Sequence, residues 1–419
     1  MRYLYSYLFY LLLPFAFLRL LWRSRRAPHY RKRWAERLGF SPYKLDACIW
    51  VHAVSVGETI AAVPLIKALK ESYPNLPLVV TNMTPTGAER VKAAFGDSVL
   101  QVYIPYDVPD AVGRFLDRIH PKVAIVMETE LWPNLFAACK ERHIPLVLTN
   151  ARLSAKSAKG YSWIKSLTRE MLLSLDVLAS QGFADAARFV ELGMTKNKIT
   201  VTGNLKFDIE LPPSLASKSE LLREKIGKTR LIWIAASTHP TEEEIILAAH
   251  KKVLATLPDV LLILVPRHPN RFDAVSALIE QQGFKGARRS LDQAVDDTTQ
   301  VYLSDTMGEL LLMYSVCDVA FVAGSFAPIG GHNVLEPAVL GKPVITGPHL
   351  FNFAEITEML LHAQGMVKVQ DGVALAEEVT RFLKDENLRH VIGGNGLRVV
   401  EANRGSLKKQ VDLIHSVMS

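Results

Sequence analysis

The sequence predicts an α/β protein with two Rossmann-like domains facing a cleft, preceded by an N-terminal membrane-anchor helix. Three observations predict this. From Ala47 onward, short apolar runs alternate with segments of helical period, the pattern of a parallel sheet with crossover helices. The rhythm breaks at the polar stretch Glu210–Ser219, which carries Pro212 and Pro213, and then restarts. Ahead of both halves, Tyr3–Leu18 contains no charged residue.

Length and composition fit this division. At 419 residues the chain is long enough for two or three domains at about 150 residues each. With 49% apolar and 22% charged residues it is neither disordered nor collagen-like. The divisions expected are an anchor at 1–22, a basic membrane-proximal segment at 23–46, a first domain at 47–209 and a linker at 210–219. A second domain follows at 220–386, then a helical segment at 387–419 whose packing the sequence leaves open.

The apolar stretch resumes after Arg19 with Leu20–Trp22, so about 20 residues are available to a membrane helix, weakened by Pro14 and Arg19. The main positive cluster, Arg23–Arg37, follows it, and no small-residue cleavage site is visible. That order predicts an uncleaved anchor with everything after Trp22 in the cytoplasm, and leaves spanning or lying in one leaflet open. The cluster is also expected to attract anionic lipid at about 1 kcal/mol per basic residue. The first forty residues hold nine Lys/Arg against Glu36, a net +8, so the chain's overall +7 belongs to this terminus and the remainder sums to about −1. A basic body suited to nucleic acid is therefore not expected. Cys48, Cys139 and Cys317 lie far apart, which argues against disulfides and structural zinc.

In the first domain, strands are expected in Cys48–Val54, Leu76–Asn82, Lys122–Met127, Ile144–Asn150 and Asp176–Ser180, with helices between them. In the second they are expected in Leu231–Ser237, Val260–Pro266, Gln300–Ser304, Asp318–Gly324 and Lys342–Gly347. Thr241 with Glu244 reads as a capping box opening the helix after Ser237. Ligands in such sheets bind beyond the carboxyl ends of strands, so the loops there carry the candidates.

After the first strand, HAVSVGE (His52–Glu58) places Glu58 at a helix start. There it either complements the helix dipole or accepts a proton from a substrate hydroxyl. METELWPN (Met127–Asn134) puts Glu128 and Glu130 on one side of extended chain, where a cation, a proton or a ligand hydroxyl must relieve their repulsion. Trp132 reads as core or as a substrate platform. In GNLKFD (Gly203–Asp208), Lys206 either pairs with Asp208 or offsets ligand charge.

The second domain carries the anion-binding features: Arg267 and His268 after a strand, and Met307, Gly308 and Glu309 before a helix. A glycine-rich loop, Gly324–Gly331, precedes a helix expected from Asn333 with Val334, Leu335 and Glu336 in its first turn. Its backbone N–H groups suit a phosphate, and Glu336 suits a ribose. GxGxxG after the first strand, the P-loop and GxSxG are all missing, which excludes dinucleotide, P-loop kinase and α/β-hydrolase readings. A carboxylate base in one domain and a nucleotide cradle in the other suit glycosyl transfer from a nucleotide sugar. A membrane-tethered scaffold is the non-enzyme alternative.

In this order, RKRWAERLG, HAVSVGE, METELWPN, GNLKFD, PRHP and GGHNVLEP resemble the 3-deoxy-D-manno-octulosonic acid (Kdo) transferases of lipopolysaccharide synthesis, from residue 1 to about 355. The resemblance implies a GT-B fold and inverting transfer of Kdo from CMP-Kdo to the lipid A precursor lipid IVA, at the cytoplasmic side of the inner membrane. It implies Glu58 as proton acceptor and Glu128 and Lys206 as transition-state stabilisers. The CMP-contacting positions it implies are Arg267, His268, Met307–Glu309 and Asn333–Glu336. Basic side chains can stabilise a departing phosphate without a cation, so neither metal nor cofactor is expected. Partners expected are CMP-Kdo, lipid IVA and inner-membrane lipids, with no nucleic acid. The rival enzyme is a GT-B transferase using a UDP-sugar on another lipid-linked acceptor.

Overall fold

The structure is a computed structural model describing residues 1–25 and 28–418, so Arg26 of the basic cluster lies outside the described residues. The chain forms two compact units. One is Met1–Asp208 together with the chain from Arg404 onward; the other is Ile209–Asn403.

The first unit holds a seven-stranded sheet of β1 (Cys48–His52), β2 (Leu78–Asn82), β3 (Leu100–Tyr103), β4 (Pro121–Met127), β5 (Leu146–Ala151), β6 (Val177–Ser180) and β7 (Ile199–Val201). Its order is β3-β2-β1-β4-β5-β6-β7, and neighbouring strands run parallel. The second unit holds β8 (Ile232–Thr238), β9 (Leu261–Pro266), β10 (Gly286–Arg288), β11 (Val301–Leu303), β12 (Val319–Val322), β13 (Val344–Thr346) and β14 (Met366–Lys368). They too are parallel, in the order β10-β11-β9-β8-β12-β13-β14. The winding reverses between β1 and β4 in one sheet and between β8 and β12 in the other. Crossovers diverge at those points and leave a crevice at the strands' carboxyl ends.

Alternation along the strands builds a core on each face of the first sheet. Trp50, Ala124, Val126 and Leu148 pack with Phe115 and Phe136; Ile49, Val51, Ile125 and Val147 pack with Leu65 and Leu69. The four strands not foreseen, β3, β7, β10 and β14, are the four sheet edges.

Two further expectations need correction, and a third element takes definite form. The stretch expected as a linker is irregular only to Ser214, because Leu215–Ile226 is helical and buries Leu215, Leu222 and Ile226. The Thr241 capping box does not form: Thr241 has φ +76° and its side chain makes no cap bond. The C-terminal segment, whose packing the sequence left open, forms two helices. Glu386–Ala402 stays with the second unit, whereas Ser406–Met418 packs on the first, burying Ile414 in its core. Asp208 anchors that return, its two carboxylate oxygens accepting from the N–H groups of Gly405 and Leu407 at 2.7 Å each.

The N-terminal helix Arg2–Arg23 is long and apolar enough to cross a membrane, with Pro14 inside it. It is tied to the first unit at both ends. Arg2 pairs with Glu141 (2.9 Å), Ser6 donates to Asn134 (2.9 Å), Phe17 packs on Trp34 and Tyr106, and Leu20 is buried. On the other side Leu4, Leu8, Leu11, Phe15, Leu18 and Trp22, at heptad spacing, form one exposed stripe.

The basic cluster divides as well. Arg37 is buried, donates to the Met83 carbonyl (2.8 Å) and lies over the Tyr103 ring. Arg33 clamps Glu36 (2.7 Å), which accepts from the Tyr103 N–H (2.8 Å). These two arginines tie the segment to the β3 edge, so Arg37 in particular is removed from the charge expected to meet lipid.

Candidate active site

In the first unit, three of the predicted residues sit in loops at one end of the sheet, since all its strands are parallel. Glu58 follows β1 in the first turn of the Val56–Ser72 helix. Its N-terminus is a reciprocal capping box: the Glu58 N–H donates to Ser55 Oγ (3.2 Å), and Ser55 Oγ donates back to the Glu58 carboxylate (2.7 Å). The other carboxylate oxygen accepts from the Val54 N–H (2.8 Å). Behind the turn, buried Asn82 donates to the Ala53 carbonyl (2.8 Å) and to Thr59 (2.9 Å), locking the backbone that carries the box.

Burial pushes the Glu58 carboxyl up to about 7, against the hydrogen bond from Ser55 and with help from Glu130 and Glu128. A carboxylate with that proton affinity is matched to accepting a proton near neutrality.

Glu128 follows β4 with φ +54°, an uncommon conformation for a residue with a side chain. Glu130 is not free to swing, because Trp132 Nε1 donates to it (2.8 Å) and Trp132 packs edge-on against buried His52 (5.1 Å). Trp132 is thus both wall and orienting donor. Lys206 lies in the single turn Leu205–Phe207 after β7. Asn204 caps that turn by accepting the Lys206 N–H (3.0 Å), and Leu205 sits in the core shared with Ala61 and Ala62 of the Glu58 helix. Glu58, Glu128, Glu130 and Lys206 therefore stand on the three connections that follow β1, β4 and β7, at the carboxyl end of one sheet.

The second unit is arranged differently from expectation. The helix expected from Asn333 is only Leu335–Ala338, too short to build a dipole of consequence. The loop's backbone donors are also taken. Glu242, fully buried, accepts from the N–H groups of Gly324 (2.8 Å), Ser325 (3.0 Å), Phe326 (2.9 Å) and His239 (3.1 Å). Those groups are closed to a phosphate.

Val334 and Leu335 are completely buried, so their side chains pack inward. Asn333 donates to Glu336 (3.1 Å), whose proton affinity burial raises. Glu309 is gripped by Arg289 (2.9 and 3.1 Å), which lowers its proton affinity, while Met307 is exposed. Arg267 and His268 follow β9, with His268 exposed and edge-on to His239 (5.3 Å). Sequence reasoning passed over Ser55, Glu242, His239 and His332. Only Ser55 left a signal there, the spacing Ser55-x-x-Glu58.

Residues 32–209 match a family profile described as 3-Deoxy-D-manno-octulosonic-acid transferase (kdotransferase). A 3-deoxy-D-manno-octulosonic acid transferase of Haemophilus influenzae is 46% identical over 397 residues, 93% of this chain and 92% of that one. The chain belongs to the Kdo transferase family. The Bordetella pertussis transferase is 35% identical over 94% of this chain and 95% of that protein. Among solved structures, a glycosyltransferase from Rickettsia africae matches 90% of this chain and 100% of its own with a TM-score of 0.55 at 16% identity, a likeness of fold. As a Kdo transferase with two Rossmann-like units, each built on a parallel sheet, the protein has the GT-B architecture the resemblance implied.

Proposed function

We propose that the protein is an inverting glycosyltransferase of lipopolysaccharide synthesis that moves Kdo from CMP-Kdo to lipid IVA, with Glu58 as the base. The observation that carries the catalytic reading is the Glu58 carboxylate, buried, oriented by Ser55 and Val54, and raised to about 7. Glu58 takes the proton of the acceptor's primary hydroxyl as that oxygen forms a bond to the anomeric carbon of Kdo. The anomeric carbon–oxygen bond to phosphate breaks, its electron pair leaves with CMP, and the sugar inverts in one displacement. Lys206 and Arg267 supply positive charge to the anionic donor, Glu128 accepts from sugar hydroxyls, and no metal takes part.

The assay is mass spectrometry of lipid IVA incubated with CMP-Kdo and the protein in the presence of EDTA. The expected result is a product heavier by one or more Kdo residues. An unmodified acceptor overturns the reading, and a product formed only without EDTA overturns its metal-free part. Competition by UDP but not CMP would favour the UDP-sugar alternative.

The N-terminal helix supports attachment to the inner membrane from the cytoplasmic side, lying flat in one leaflet. Its contacts run from Arg2 to Leu20, so crossing the bilayer would break one end away from the body. Lying flat instead sinks the Leu4–Trp22 stripe into the acyl boundary, at about 1.5–3 kcal/mol for each large side chain fully transferred. Leu11→Glu with Phe15→Glu is expected to move the protein from the membrane pellet to the supernatant and to leave CMP affinity within about twofold, since neither side chain packs inward. Retention in the pellet would refute the flat orientation.

A further inference from the structure

With Glu242 holding the N–H groups of Gly324–Phe326, that part of the loop offers an anion no backbone donor, and the side chains beside it become the candidates. Three imidazoles and a guanidinium stand there. The rings of His239 and His332 are coplanar within 3°, and their Nε2 atoms are 2.8 Å apart. His268 stands edge-on to His239, and Arg267 acts on both rings by charge. The pair is built in. Gly324, at φ +70°, leaves space that a Cβ would take from the His332 ring at 2.6 Å, and the His239 N–H is fastened to Glu242.

Two ring nitrogens at 2.8 Å need one proton between them, so one ring donates through Nε2–H and the other accepts with a lone pair. We propose that this His239–His332 pair is the proton-linked receptor for the phosphate of the donor nucleotide, neutral when empty and taking one proton from solvent when the anion binds. The product is an imidazolium–imidazole pair that neutralises one charge of the ligand. It also fits the reaction, because a monoanionic phosphodiester leaves as a dianionic monoester. This rests on the CMP-donor reading.

The surroundings agree. Burial first, and then the other histidines and Arg267, hold His332 down at about 4. Burial, His268 and Arg267 lower His239 against the pull of Glu242. Glu242, the carboxylate that acts on the pair, is itself occupied by backbone donors. An arriving phosphate opposes these depressing charges and raises the pair's proton affinity.

Calorimetric titration with CMP in Hepes and in Tris, at about pH 7.5 where CMP is dianionic, measures the proton taken up. The wild-type protein is expected to take up a substantial part of a proton, and CMP affinity to rise by up to about tenfold for each pH unit lowered. His332→Asn, and independently His239→Asn, should lose the uptake and the pH dependence while binding cytidine, which has no phosphate, as the wild type does. CMP bound by the wild type without proton uptake, or uptake kept in both variants, overturns the proposal alone. No CMP binding by the wild type would sink the donor reading together with it.

Discussion

Glu58→Gln is expected to lower kcat for Kdo transfer by about 10²–10⁴-fold, the range removed with a positioned general base. KM for CMP-Kdo should move little, because the lost charge belongs to the unit that does not carry the segments proposed to contact CMP. The substitution keeps an oxygen for Ser55 or Val54 and gives up the charge-assisted cap, so the expected loss of stability is only about 1 kcal/mol. A denaturant melt checks that folding survives; a folded glutamine variant with undiminished turnover would rule out Glu58 as the base.

The pH profile follows with a definite sign. The Glu58 carboxyl is raised to about 7, so it is protonated and unable to accept below that value, and kcat/KM should climb as pH rises through it. Ionisation there runs against burial, so the folded state loses stability as pH rises from the ordinary glutamate range to about 7, and little beyond it. A flat profile between about pH 6 and 8 would show that the proton is taken elsewhere.

The second large effect is expected at Glu242. Glu242→Ala leaves the N–H groups of His239, Gly324, Ser325 and Phe326 buried without their acceptor. Each such donor costs about 1–3 kcal/mol, so the four together set a loss of at least roughly 4 kcal/mol, with CMP affinity falling more than about tenfold as the loop unfastens. Glu242→Gln should be nearly as damaging, since its amide turns N–H against N–H. A glutamine variant as stable as the wild type in urea, with unaltered CMP affinity, would show that the carboxylate does not hold the loop.

These residues explain which parts of the protein could be read from the sequence. The interior strands are legible because both faces are covered, as in Ile232–Thr238, where every residue is buried. Edge strands are not. Ile199–Val201 has no fully buried position and Gly286–Arg288 has one, so neither presents an apolar run. Glu58 is legible because a strand ends just ahead of it, small residues make the turn and a helix starts there. Glu242 is not, because Glu242–Glu244 reads as three acids at a helix start. What separates Glu242 is a loop more than eighty residues away that closes on it, a contact without local pattern. The coplanar histidines are likewise ninety-three residues apart.

The return of the last helix to the first sheet has a consequence for fragments of this enzyme. Cutting the backbone between Ile209 and Ser214 would not yield self-sufficient halves. The trailing piece keeps Ile414 and Gln410, and without them Thr149, Thr202 and the apolar seat under Ile414 lie bare. Such pieces should stay associated after nicking and recombine when mixed, whereas a leading piece made by itself should be sticky and short-lived.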